Sequence, residues 1–117
     1  MKKIPGLVLA LASCAMSGGV FAGGDINAGK AAAEKHQCFA CHGKDYQTPI
    51  DPSYPKLAGQ HQDYLAHALT AYQRGADAVN GRANPIMAGP AKPLSRQEIQ
   101  DIAAYLHNLP GTLVVRR

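Results

Sequence analysis

The chain has 117 residues, a formal net charge of +4 at pH 7 and 17% charged residues. This length fits one domain. No long Lys/Arg run and no interleaving of basic with aromatic residues is present, which excludes the usual kind of nucleic-acid-binding protein. Large apolar side chains are scarce, with no Trp and two Phe, and a domain of this size buries only about 60–65% of its unfolded surface. Either the fold is marginally stable or a non-protein group fills its centre.

Residues 1–22 have the pattern of a secretory signal peptide. Two lysines precede an apolar run over residues 4–16, and residues 20–22 (VFA) form a small-residue cleavage signal. The apolar run is shorter than the roughly 20 residues that a membrane span needs. We predict cleavage after Ala22, which leaves one domain over residues 23–117 without a transmembrane segment. Loss of the two lysines lowers the formal charge from +4 to +2.

Residues 11–14 (LASC) offer an alternative processing site, because they resemble a bacterial lipobox in which Cys14 becomes the lipid-bearing first residue. The segment before Cys14 is short for a lipoprotein signal. Both interpretations predict export to the periplasm, and lipid anchoring at Cys14 is the minor alternative.

Two helices are predicted in the first part of this domain. Residues 25–36 (DINAGKAAAEKH) begin with a good N-cap residue and are rich in alanine, while Gly29 inside them indicates close approach of another backbone. Residues 61–74 place apolar side chains at helical spacing, and Gly75 follows as a stop signal.

Residues 76–93 are predicted to be a loop, because they contain three prolines and two glycines. The last helix is the best marked. Ser95 and Glu98 form a capping box, apolar residues follow at helical spacing, and residues 110–111 (PG) end it. No alternating strand pattern and no repeat is visible, so the predicted class is all-α with three main helices and long loops.

Cys38, Cys41 and His42 form the motif CFACH. A thioredoxin-like redox pair needs strands that the sequence does not predict. A structural zinc site needs four ligands, and at most three are present here. A plain disulfide is possible in an exported protein, but it leaves the histidine unexplained. The pattern C-x-x-C-H is typical of covalent haem attachment, which we favour over the disulfide.

The spacing suits this chemistry. Cysteines at i and i+3 face the same side of one helical turn, so Cys38 and Cys41 can form thioethers to the two vinyl groups of a haem. His42 can then offer an imidazole nitrogen to the iron. A haem would also complete the thin core, and the chain without it is predicted to be poorly folded.

In its ordered motifs the chain resembles the class I c-type cytochromes, in particular the small periplasmic bacterial kind. The motifs, found nearly throughout residues 25–109, are QCFACHG (37–43), YPKLAGQ (54–60), the NPIM loop (84–87) and LSRQEIQDIAAYL (94–106). The resemblance implies a cytochrome c fold around one covalently bound haem c.

The resemblance also implies roles for single residues. His42 is the proximal iron ligand, Met87 is the sixth ligand, and the carbonyl of Pro55 accepts a hydrogen bond from the proximal imidazole. Gly29 and Ala33 are expected to face Ile102 and Tyr105 where the first and last helices cross. Residue 33 is often aromatic in such proteins and is alanine here, so either Tyr105 fills the space or the crossing is looser.

Met87 also stands out without the resemblance, because it is the only methionine in residues 23–117 and lies among loop-forming residues. A histidine or an open position on the iron are the alternatives. His36 is too close to the attachment turn to reach the other face of a haem, and His67 is expected in solvent. His61 and His107 are expected to be partly buried.

His/Met ligation leaves no iron position for a substrate, so the implied activity is electron transfer and the chain is predicted not to be an enzyme. Its expected partners are a dehydrogenase as donor and an oxidase or reductase as acceptor, and its expected state is a monomer or weak dimer. The alternatives are a haem subunit of a larger complex and a ligand-binding or peroxidatic haem protein. Four further residues are candidate hydrogen-bond partners of the haem propionates: Gln60, Tyr64, Tyr72 and Arg82. Three lysines are candidates for attracting an acidic redox partner: Lys44, Lys56 and Lys92.

Overall fold

The computed structural model describes Lys2 and residues 23–113, and every regular element within them is helical. The predicted all-α class is therefore confirmed for this part of the chain. The predicted signal peptide, including Cys14, falls outside the described residues except for Lys2. The helices are α1 (Ile26–Lys35), α2 (Phe39–His42), α3 (Gln62–Arg74), α4 (Pro85–Ala91) and α5 (Arg96–Asn108). None of the helices in the described residues has the length and apolar character needed to cross a membrane.

Helix α1 packs across α5, and this crossing joins the two ends of the domain. Asp25 caps α1 by accepting a hydrogen bond from the Ala28 N–H at 2.7 Å. At Gly29 a Cβ atom would lie 1.9 Å from the Asp101 carbonyl oxygen and 2.8 Å from the Tyr105 Cβ. The close approach predicted for Gly29 is present, but its nearest backbone neighbour is Asp101 rather than Ile102.

We expect Gly29→Ala to lower the free energy of unfolding by about 1–3 kcal/mol, the usual range for overpacking. The added methyl group meets backbone of α5 that cannot move aside, and this outweighs the gain of about 1 kcal/mol in helix propensity. Denaturant unfolding of the holoprotein measures the change. Gly23→Ala is the control, because a Cβ there meets nothing within 4 Å. Equal stability of the two variants would contradict the close crossing.

Helix α5 supplies the centre of the core. The predicted capping box is present, with the Glu98 N–H donating to the Ser95 hydroxyl oxygen at 3.0 Å and the Glu98 carboxylate accepting from the Ser95 N–H at 3.2 Å. Ile102 is the one large side chain that is less than 2% exposed in the described residues. Of the thirteen buried hydrophobic residues there, seven are alanine. The core is therefore as thin as the composition indicated.

Residues 43–59 are irregular, as predicted, and Tyr46 anchors them. Its side chain is 2% exposed, and its carbonyl oxygen accepts from the N–H groups of Leu57 and Ala58 at 2.8 and 3.1 Å. The Tyr46 and Tyr105 rings meet edge to face, with centroids 5.9 Å apart. Tyr105 therefore packs against a second aromatic ring beside the α1–α5 crossing, where Ala33 is fully buried.

Helix α3 begins after His61, and Gly75 caps its end as predicted, its N–H donating to the Ala71 carbonyl. The prediction that residues 76–93 form a loop throughout was wrong, because they contain α4. Asn84 caps this helix by accepting from the N–H groups of Ile86 and Met87, and proline at the first helical position is well tolerated. Prolines and glycines often break helices, but an N-cap residue followed directly by proline starts one.

Candidate cofactor-binding site

The motif CFACH lies on the one-turn helix α2. Cys38 is its N-cap residue with helical backbone angles, so the two cysteines lie one turn apart. Both thiols are free and half-buried, and burial raises the pKa of the Cys38 thiol. No disulfide joins them, and no group of three or more metal-ligating side chains occurs within the described residues. Neither the disulfide nor the zinc alternative gains support from this arrangement.

The His42 side chain is buried, with 6% of the residue exposed. Its Nδ1 lies 3.0 Å from the Pro55 carbonyl oxygen, which can accept a hydrogen bond only if Nδ1 carries the proton. In this tautomer of the neutral ring, the opposite nitrogen, Nε2, is unprotonated and available to a metal. Gly43 makes this turn possible: its φ is +86° and a Cβ would lie 2.2 Å from the Thr48 carbonyl oxygen.

Met87 reaches the site from α4 and is half-buried. Two adjoining pockets, of about 700 and 750 Å³ including their open mouths, share Cys38, His42, Pro55, Tyr72 and Met87 among their lining residues. The first also contains Cys41. The residues that the sequence singled out from three separate segments therefore line one continuous cleft.

The walls of this cleft suit a large apolar cofactor. The second pocket has an apolar wall, and its members are Leu57, Leu65, Ala68, Leu69, Ile102 and Leu106. Free thiols, an imidazole and a thioether at its edges are the donor set that a covalently attached haem requires. The residues present therefore fit haem c.

Arg82 and two tyrosines line one part of the cleft. The Arg82 guanidinium donates to the hydroxyl oxygens of Tyr72 and Tyr64 at 3.4 and 3.2 Å, and it lies 5.4–5.5 Å from the centres of both rings. These two hydrogen bonds raise the pKa of Arg82. Gln60 and Lys56 line the same pocket. All four predicted propionate partners therefore line the same pocket, and Arg82 contacts both tyrosines among them.

The other two lysines lie elsewhere. Lys44 lines a separate surface pocket with Glu34 and Tyr105, and Lys92 is the exposed C-cap residue of α4. Lys56 is therefore the lysine of the three that lines the cleft.

The rival histidines are placed differently. His36 lines the cleft on the side of the cysteines, and its Nε2 lies 2.8 Å from the Glu98 carboxylate. His67 is exposed, as expected. The expectation that His61 and His107 are partly buried was wrong, because both are exposed, and His107 Nδ1 lies 2.7 Å from the Gln60 carbonyl oxygen. None of these three lines either pocket of the cleft.

The contact between His36 and Glu98 was not anticipated from the sequence, since the residues are 62 positions apart. Hydrogen bonds from His36 and from the Ser95 N–H lower the pKa of Glu98 to about 2, from an ordinary value of 4.5. The Glu98 carboxylate therefore joins the end of α1, next to the cysteine motif, to the start of α5.

We expect Glu98→Gln to lower the free energy of unfolding by about 1–2 kcal/mol at neutral pH, a value reduced for solvent screening. Because the folded-state pKa lies below the unfolded one, this stabilisation is complete above pH 4.5 and is lost as the pH falls towards 2. The difference between wild type and variant should shrink over this window in urea unfolding. Glu34→Gln, in a pair exposed on both sides, is the control. A difference that does not depend on pH would contradict the coupling.

The family model described as Cytochrome c matches residues 26–110. Cytochrome c4 from Stutzerimonas stutzeri is 38% identical over 117 residues, which cover 97% of this chain and 53% of that protein. Cytochrome c-554(548) from Halomonas halodenitrificans is 42% identical over 81 residues, covering 67% of this chain and 94% of the relative. The thiosulfate dehydrogenase electron acceptor from Thiomonas intermedia is 38% identical over 76 residues, covering 65% and 33% respectively.

The crystal structure of reduced recombinant cytochrome c4 from Pseudomonas stutzeri superimposes with a TM-score of 0.68 at 38% identity, covering 77% of this chain and 48% of that one. The chain therefore belongs to the cytochrome c family and has the cytochrome c fold. Its cofactor is haem c, as membership of this family implies. The chain spans about half the length of the cytochrome c4 relatives that it matches.

Proposed function

We propose that the protein carries single electrons on one haem c, held by thioethers from Cys38 and Cys41 and ligated by His42 and Met87. The single observation that carries this proposal is the shared cleft: a buried imidazole and a thioether from segments 45 positions apart in the sequence line it together with both thiols. When bound, the haem supplies a metal centre that takes up and releases one electron.

The chain's own residues hold this centre in place and tune it. The Pro55 carbonyl orients the His42 ring through its contact with Nδ1, which leaves Nε2 as the nitrogen that would ligate the iron. A Met87 thioether as the second protein ligand would raise the reduction potential relative to two histidines. Arg82, Tyr64, Tyr72 and Gln60 provide donors for the haem carboxylates. With His42 and Met87 both bound to it, the iron would have no position left for a substrate, so we propose that the chain carries electrons and is not an enzyme.

Spectroscopy of the purified holoprotein tests the proposal. We expect one covalently bound haem by mass, a low-spin spectrum in both oxidation states, and no spectral shift when CO is added to the reduced protein. A CO-induced shift would instead support the ligand-binding or peroxidatic alternative, since it requires Met87 to be off the iron.

The signal-like residues 1–22 support a location in the periplasm, with the mature chain beginning at residue 23. Mass spectrometry of the mature protein distinguishes cleavage after Ala22 from lipidation at Cys14.

The name of the Thiomonas relative, an electron acceptor of a thiosulfate dehydrogenase, supports a dehydrogenase as the class of electron donor. We propose an oxidase or reductase as the acceptor. The same name is also compatible with the alternative that the chain is a haem subunit of a larger complex. Size exclusion of a native extract separates the two: elution as a monomer or weak dimer fits the free carrier, and co-elution with a large enzyme fits the subunit.

A further inference from the structure

Helix α4 carries Met87 but is weakly packed. Of its seven residues, one is buried, Ala91. Pro90 lies inside the helix and has no N–H to donate to the carbonyl of Ile86. Segments with few buried contacts and incomplete hydrogen bonding open locally at low free-energy cost. Additional contacts are therefore needed to keep the Met87 thioether in one place.

Two tethers to α3 supply such contacts, one on each side of Met87. Before α4, the Arg82 N–H donates to the Ala71 carbonyl at 2.9 Å. After Met87, the Gln73 side-chain amide donates to the Ala91 carbonyl at 2.9 Å and to the Leu94 carbonyl at 2.7 Å. Both tethers start from the last turn and a half of α3, so this end of α3 holds the whole segment.

The Gln73 tether matters because of where its acceptors lie. The last carbonyls of any helix lack partners within that helix, and Ala91 is the last residue of α4. Its carbonyl accepts from the Leu94 N–H at 3.2 Å, just beyond the helix, and Gln73 adds a side-chain donor. The amide nitrogen of Gln73 has two N–H donors, and both are used here in a partly buried position. Gln73 thus caps the end of α4 from a neighbouring helix, whereas Asn84 caps its start from within the segment.

We propose that Gln73 is a positioning residue for Met87: by holding the end of α4 against α3, it keeps the thioether on the iron and slows its exchange. The inference rests on the proposed ligation by Met87. It predicts that loss of the two donors frees α4 while α1, α3 and α5 stay packed.

The test is the rate at which cyanide replaces Met87 in the ferric holoprotein, measured at saturating cyanide so that departure of the thioether limits the rate. We expect Gln73→Leu, of similar size but without donors, to increase this rate about fivefold to thirtyfold, as two lost hydrogen bonds imply. The ring-facing methyl signal of Met87 in the reduced protein should broaden in parallel.

Gln47→Leu is the matched control, because the Gln47 amide also donates to a distant carbonyl, that of Pro110 at 2.7 Å, in a region away from α4. It should lower the free energy of unfolding without changing the cyanide rate. An unchanged rate in Gln73→Leu, or equal increases in both variants, would overturn the proposal. Absence of the sulfur-to-iron absorption band in the wild-type protein would instead refute the ligand assignment. That measurement is made before any variant is prepared.

Discussion

Replacing Met87 with alanine is expected to abolish the sulfur-to-iron absorption band of the ferric holoprotein and to lower its reduction potential by on the order of 0.1–0.3 V. This is a moderate part of the roughly 0.8 V range over which axial ligands act. The thioether stabilises the ferrous iron relative to a nitrogen or oxygen ligand. In its absence a water molecule or another weak ligand would take the position, and the reduced protein should then bind CO. Absorption spectra and a redox titration measure both changes.

Ile86→Ala is the control for this variant. Ile86 is adjacent to Met87 on α4 and is 56% exposed, so shortening it changes the same helix without removing a donor to iron. We expect the band to persist and the potential to change little. If Met87→Ala retained the sulfur band, a different ligand assignment would be required, because residues 23–117 contain no other methionine.

The second large effect is expected from replacing both Cys38 and Cys41 with serine. Without thioether attachment the chain should lose its covalent haem, and with it most of its cooperative structure. The physical reason is the core: seven of the thirteen buried hydrophobic residues in the described part are alanine, and the apolar cleft wall that includes Leu65 and Ile102 would pack against the haem. Far-UV circular dichroism and thermal melting measure the loss.

Ala40→Ser provides the control, since residue 40 lies between the two cysteines and is exposed. It introduces the same hydroxyl group into the motif but leaves both thiols in place, so covalent haem and a cooperative melt should be retained. A double cysteine variant that keeps the native circular dichroism and melts cooperatively would show that the protein core is sufficient by itself, contrary to our account.

Much of the fold was predictable because its signals are local. Asp25, Gly75 and the pair Ser95 and Glu98 end or begin helices through contacts within a few residues, and each occurs where the sequence placed it. The helix α4 was missed for the opposite reason. Asn84 followed by Pro85 is a start signal for a helix. The glycine and prolines at positions 89, 90 and 93 nevertheless favoured the prediction of a loop.

Parts of the site depended on tertiary contacts that no local pattern reveals. The contact of His36 with Glu98 and the donation from Gln73 to the end of α4 join residues 62 and 18 to 21 positions apart. Arg82 was singled out as a candidate propionate partner, yet its position between Tyr64 and Tyr72 follows from how α3 meets the segment before α4. The motif CFACH was recognisable by its spacing, and Met87 because it is the single methionine of residues 23–117 and lies among loop-forming residues.

The Met87 sulfur is proposed to be bound to iron in both oxidation states, and nuclear magnetic resonance of its methyl group tests this. Methionine labelled with ¹³C at the methyl group would give one signal from residues 23–117, because Met87 is their single methionine. Bound above the haem, this signal should be shifted far upfield by the ring current in the reduced holoprotein and displaced by the unpaired electron in the oxidised one. A methyl signal at the ordinary position of a free methionine in either state would contradict the claim for that state.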